Sequence, residues 1–213
     1  MEMAIILAAG EGTRMKSKTS KVLHKVCGKP ILSYIVDAGK NAELEKNVVI
    51  VGHSGEKVKE YFEDEDIIFK TQPIGDDVPY GTGYAVMQAV EEIDDDSTVV
   101  ILYGDTPLIR EETIKNLMKY HKENNFKGTV LTAKLLDPKG YGRIVRDEEG
   151  YISKIVEDKD ASPEEKEIKE INSGIYCFDG KLLKHSLSRQ NLRQLLPNLH
   201  HTLPWLSTRP VFI

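Results

Sequence analysis

With 213 residues, 40% hydrophobic and 30% charged, the chain has the make-up of a folded globular protein, one large domain or a domain and part of another. A net charge of −5 offers no basic face to nucleic acid or a membrane surface, and no apolar run approaches the roughly 20 residues of a membrane span. The N-terminus does not read as a signal peptide, and two cysteines, Cys27 and Cys177, make no disulfide framework, so a cytoplasmic setting is expected.

The apolar run at residues 3–9 predicts one buried strand. Gly10 and Gly12 break the regularity, and Arg14, Lys16, Lys18 and Lys21 follow. Glycines let backbone N–H groups approach a ligand closely and the cations offset its charge, so the stretch suits a phosphate-rich molecule. The alternative is a plain βα turn with solvated lysines. Two well-known phosphate loops fail here on the same residue. A dinucleotide fingerprint needs glycine where Met15 stands, and a Walker A loop needs glycine before Lys16-Ser17, again Met15.

Pro30 opens an amphipathic helix with Ile31, Tyr34, Ile35 and Ala38 on one face. Residues 47–52 predict a second buried strand, Ser54 a cap for a short helix, and residues 66–71 a third strand. This β-α-β-α-β order favours a mainly parallel sheet with helices on both faces, which binds ligands beyond the carboxyl ends of its strands. Gly81-Thr82-Gly83 then opens a further helix, and the acidic run at residues 91–96 reads as a solvated helix end. Residues 98–103 predict a strand running straight into Gly104-Asp105. A carboxylate at that tip suits a hard cation or, equally on pattern, caps the following helix at residues 111–123.

Beyond residue 125 the chain reads as shorter strands, at 128–136, 142–146 and 151–156, then a charged piece at 162–171 and an apolar strand at 175–178. The end is different again. Residues 180–213 contain no Asp or Glu, although all 34 acids lie before them, and Pro197 and Pro204 would interrupt any helix. His185, His200 and His201 lack metal-site spacing. This tail, residues 187–213, is expected to be foreign to the fold, as a frameshift, a misassembled gene or an artificial junction would make it.

Taken together, LAAGEGTRM with SKVLH, the GTG, YGDTPL, GYGRI, KIVED and EINSGIYCF segments resemble the sugar-nucleotide pyrophosphorylases. The similarity is to the uridylyltransferase half of the bacterial bifunctional N-acetylglucosamine-1-phosphate uridylyltransferases, over about residues 3–186. One departure is Ser20, where that family usually has proline. The resemblance implies a Rossmann-like nucleotide-diphospho-sugar transferase fold (α/β) over residues 1–186, a nucleotide part to about 125 and a smaller β-rich sugar-binding part at 126–186. It also implies uridylyl transfer from UTP to N-acetylglucosamine 1-phosphate, giving UDP-N-acetylglucosamine and pyrophosphate with Mg²⁺, for cell-wall precursor synthesis.

By resemblance, Leu7, Ala8, Ala9 and Gly10 hold the nucleotide, while Arg14 and Lys21 grip phosphate. Gln72, Gly81 and Thr82 read the uracil edge, Tyr103 and Gly104 line the centre, and Asp105 binds Mg²⁺. Gly142, Glu157 and Asn172 contact the sugar. The family's second metal ligand, an asparagine, is not matched by Asn191 or Asn198. The hexapeptide-repeat acetyltransferase half is not found here, so neither acetyl transfer nor that domain's trimer is expected. The alternatives are the same chemistry on another sugar, such as glucose 1-phosphate, a catalytically impaired sugar-nucleotide-binding module, and a nicotinamide-dependent oxidoreductase, which Met15 opposes.

Overall fold

The computed structural model describes residues 1–187 apart from 11, 13, 14, 18, 53, 54, 76, 77, 79 and 80. Arg14, the Ser54 cap and the expected aberrant tail (from residue 188 on) therefore lie outside the described residues. The chain begins with β1 (Glu2–Ala8), a 3-10 turn at Lys21–Leu23, and the short hairpin β2 (Lys25–Val26) and β3 (Lys29–Pro30). Next come α1 (Ile31–Asn41), β4 (Lys46–Val51), α2 (Gly55–Tyr61), β5 (Ile68–Thr71) and α3 (Thr82–Met87). β6 (Thr98–Tyr103), α4 (Glu111–Glu123), β7 (Gly128–Lys134), β8 (Arg143–Arg146) and β9 (Ile152–Val156) follow. α5 (Pro163–Lys166), β10 (Glu170–Asp179) and α6 (Gly180–Ser186) complete the described chain.

Eight of the described strands form one twisted sheet in the order β5-β4-β1-β6-β10-β8-β9, with β7 also paired to β10. β5, β4, β1 and β6 run parallel; β10 is antiparallel to β6, β7 and β8, and β8 to β9. Side-chain alternation explains why strands this apolar are buried on both faces. Ala4 and Ile6 of β1, Val49 and Val51 of β4, Val100 and Leu102 of β6 and Cys177 of β10 share one layer with Leu32, Ile35, Val58, Ile114 and Leu117. These last come from α1, α2 and α4. Met3, Ile5, Val48, Ile50, Val99, Ile101, Tyr176 and Phe178 point the other way, onto Ala85, Val86 and Leu183 of α3 and α6. Each fully buried Ile or Leu contributes about 1.5–3 kcal/mol by leaving water.

Three local features differ from the sequence expectation. The acidic run is not merely solvated: the Glu92 carboxylate takes Lys70 Nζ at 2.8 Å and Lys46 Nζ at 3.6 Å, and Lys46 also donates to the Glu92 carbonyl. Lys46 opens β4 and Lys70 lies on β5, so Glu92 fastens the sheet edge through partners too distant in sequence for local pattern to reveal. The strand expected at 175–178 is longer, starting at Glu170, and passes through Gly174 with a bulge between Asn172 and Tyr176. Finally, the N-cap position of α4 is held by Arg110, without a side-chain cap, so Asp105 is not that helix's cap.

Candidate active site

Chain order and strand order together place the ligand end of this sheet. From β1 the chain moves outward to β4 and β5, then returns to lay β6 on the other side of β1. The reversal leaves a crevice beyond the carboxyl ends of β1 and β6, where open α/β sheets bind ligands. The tips are level: Leu7 pairs with Tyr103 and Ala8 with Val51, and the Gln72 N–H donates to the Val51 carbonyl at 2.8 Å. The Gly104 N–H donates to the Leu7 carbonyl at 2.9 Å, turning the chain sharply as it leaves β6.

A cleft of about 510 Å³ opens there. Its walls carry Leu7, Ala8, Ala9, Gly10, Lys21, Gln72, Gly81, Thr82, Tyr103 and Asp105, residues the sequence pointed to from five separate stretches. Gly12, which the sequence marked as a loop glycine, lines it too, and so do Met15, Val22 and Ala85, to which the sequence gave no site role. Gly12 has a left-handed φ of 58°, and a side chain there would run into Lys21 Cβ at 2.8 Å. Lys21 and the glycine loop therefore lie directly against each other.

Lys21 Nζ forms an ion pair with the Asp105 carboxylate, joining residues 84 apart in sequence. Lys21 stands on the 3-10 turn whose N-cap is Ser20, and Ser20 has φ −51°. That lies within the range a proline ring would impose, so the substitution leaves the turn's backbone as proline would have it. Asp105 presents hard oxygen donors to the cleft. Among the described residues no three His, Cys, Asp or Glu side chains gather to cage a metal.

Tyr103 forms the boundary between two groups of candidate residues. Its hydroxyl stands 3.5 Å from Thr82 Oγ1 on the cleft side. Burial chiefly pushes the phenol pKa up, opposed by Thr82 and reinforced by the Asp105 and Glu157 carboxylates, so the phenol is neutral at physiological pH. On the other side its ring packs against Gly174, where an added Cβ would come within 2.7 Å of Tyr103 Cε2. Gly174 has φ 82°, and glycine alone satisfies both demands comfortably.

Gly142, Glu157 and Asn172 do not line the cleft, but they meet one another. A Cβ on Gly142 would stand 3.5 Å from Glu157 Oε1 and 3.7 Å from Asn172 Cβ, and the Asn172 N–H donates to the Gly142 carbonyl at 2.9 Å. A buried cation steadies the loops around them. Arg143, with a side chain 3% exposed, donates from Nη2 to Asp158 at 2.9 Å and from Nη1 to the Tyr141 carbonyl. The Gly140 backbone and Arg143 hold the Asp158 carboxyl below its usual range.

An open α/β sheet with a glycine-bearing loop after its first strand, and a cation–carboxylate pair at its ligand end, is an arrangement suited to a phosphate-bearing ligand. The chain belongs to the nucleotidyl transferase family, whose sequence model it matches over residues 3–207. It is 54% identical over 189 residues to the bifunctional protein GlmU of Clostridioides difficile (strain 630), covering 88% of this chain and 40% of that protein. It is likewise 52% identical over 187 residues to GlmU of Alkaliphilus oremlandii and 48% over 185 residues to that of Listeria innocua, with 87% and 86% of this chain covered, and 40% and 39% of those proteins. The chain thus spans about two fifths of the length of these relatives.

Solved structures share the fold. A protein described as a glucose-1-phosphate thymidylyltransferase from Bacillus anthracis aligns at a TM-score of 0.80 and 20% identity over 100% of this chain and 87% of its own. A UDP-glucose pyrophosphorylase complexed with UDP-glucose aligns at 0.70 and 18% identity over 89% of this chain and 80% of its own.

Proposed function

We propose that this chain transfers a uridylyl group from UTP to N-acetylglucosamine 1-phosphate, releasing pyrophosphate and forming UDP-N-acetylglucosamine. The observation that carries this reading is the meeting of Lys21 and Asp105 across the cleft, walled by the glycine loop, Gln72 and Thr82. The nucleotide and the sugar follow from the family resemblance of the motifs, and the similarity to GlmU proteins supports that reading.

The sugar phosphate oxygen attacks the α-phosphorus of UTP in line, and the pyrophosphate departs from the opposite side. No covalent enzyme intermediate is required, so the protein's task is to hold two anions together against their repulsion. Residues 7–10 hold the nucleotide through backbone groups, and Gln72, with Gly81 and Thr82, reads the uracil edge. Arg14 and Lys21 neutralise phosphate oxygens as negative charge develops on the leaving group. Gly142, Glu157 and Asn172 hold the sugar beyond Tyr103.

Asp105 fits the role of a Mg²⁺ ligand. Mg²⁺ takes one or two carboxylates plus phosphate oxygens and waters, and the ammonium beside Asp105 already marks that carboxylate as a cation-seeking site. Bound Mg²⁺ would neutralise charge on the phosphates. Among the described residues no helix is long and apolar enough to cross a membrane.

The test is pyrophosphate release with a panel of sugar 1-phosphates and either UTP or dTTP, beside calorimetry with UDP-N-acetylglucosamine. The expected result is turnover that needs Mg²⁺ and favours UTP with N-acetylglucosamine 1-phosphate. Preference for glucose 1-phosphate or dTTP would reassign the substrate, and UDP-sugar binding without pyrophosphate release would make the chain a binding module.

A further inference from the structure

Tyr176 lies in what the sequence presents as a plain apolar strand, and its ring does pack as core. It is 1% exposed and stacks on Phe178 with centroids 5.7 Å apart. The hydroxyl has a different part. Asn172 Nδ2 donates to the Tyr176 oxygen at 2.8 Å, while the Gly174 N–H donates to Asn172 Oδ1 at 3.0 Å. Both ends of the Asn172 amide are therefore engaged from within its own strand.

That contact is not a by-product of strand geometry. Residues four apart on a regular strand stand roughly 13 Å from each other. The bulge between Asn172 and Tyr176, with Gly174 left-handed, shortens the strand, and the length of the phenol spans what remains. A hydroxyl taken out of water costs free energy unless it is hydrogen-bonded, and phenylalanine would fill the same space without that cost. Here the Tyr176 oxygen accepts from Asn172 Nδ2. The Glu157 carboxylate is close enough to act electrostatically on the same phenol.

We propose that Tyr176 is a positioning residue whose hydroxyl anchors the nitrogen end of the Asn172 amide, the oxygen end being set by the Gly174 N–H, before a sugar phosphate arrives. An amide turned through half a rotation offers an acceptor where it had offered a donor; the Gly174 N–H selects one of these patterns, and an amide held at that end alone would hold it less firmly. Locking both ends removes the ordering cost from binding. The proposal rests on the reading of Asn172 as a sugar contact.

Tyr176→Phe tests it, because the ring stays and only the oxygen goes. The KM for the sugar 1-phosphate should rise about tenfold, while kcat and the KM for UTP stay within about twofold. In an Asn172→Ala background the same change should have no further effect, since no amide remains to be oriented. An equal rise in both KM values, or an undiminished effect in the Asn172→Ala background, would overturn the proposal. The side-chain amide resonances of Asn172 in isotopically labelled protein give a second readout that needs no turnover. Their solvent exchange should quicken in Tyr176→Phe, and unchanged exchange would overturn the positioning role. If the wild-type protein transfers no uridylyl group, the functional reading fails, and the amide resonances still decide what Tyr176 does.

Discussion

The Lys21–Asp105 pair is where charge and function coincide at the scale of a single residue. Both side chains are over a third or about a third exposed, at 39% and 33%, so the pair is worth at most about 1 kcal/mol of stability. Its value lies in holding a carboxylate and an ammonium in one cleft. Asp105→Asn keeps the shape and removes the charge. Turnover should fall by on the order of a hundredfold or more, with a change in Tm of no more than about 4 °C. Steady-state kinetics beside thermal denaturation would check this, and an unchanged rate would remove Asp105 from the metal role.

At the scale of elements, two joints invite measurement. The turn that carries Lys21 begins at Ser20 with a backbone angle proline would impose. Ser20→Pro should therefore stabilise the protein by about 0.5 kcal/mol through the unfolded state, read as a higher denaturant midpoint at constant slope. The second joint is between α4 and β7, where His121 Nδ1 meets Thr129 Oγ1 at 2.9 Å in the core. Burial pulls the imidazole pKa down to about 4, the Asp179 charge opposing and Lys127 assisting. Unfolded, the group titrates near about 6.5. Between those values the unfolded chain takes up the proton and the folded chain does not. Stability should therefore fall as pH drops from about 6.5 towards 4, by up to about 1.4 kcal/mol per pH unit from this group, and no further below its folded pKa. His121→Gln should flatten that limb of the Tm–pH curve relative to the wild type.

For the whole molecule, the sheet is the device that brings the parts together. Its parallel half supplies the level tips around the cleft, and β10, crossing from β6 to β8, carries Asn172 and Tyr176 alongside them. A ligand that binds the folded state alone stabilises it by mass action. UTP with Mg²⁺ at about 100 times its Kd should add about 2.7 kcal/mol and raise Tm by roughly 5–10 °C. NAD at the same concentration should leave Tm unchanged, which a thermal-shift titration would check.

The sequence alone determined the elements whose cause is local. The apolar runs of β1, β4 and β6, the amphipathic face of α1, and the β-α-β-α-β order that makes the sheet half parallel were all legible there. So were the glycine loop and the carboxylate just past β6, because strand periodicity and turn chemistry act over a few residues. Only the tertiary structure decided whether Asp105 was a helix cap or part of a cleft, since that turned on Arg110 starting α4 and Lys21 arriving from far along the chain. It alone gave Glu92 its lysines and set Tyr176 against Asn172, and it put Gly142 beside Glu157 and Asn172, which the family resemblance had only grouped. The physical reason is that such contacts depend on strand order, register and a bulge. These are settled by packing the whole chain at once, and no local stretch of residues encodes them.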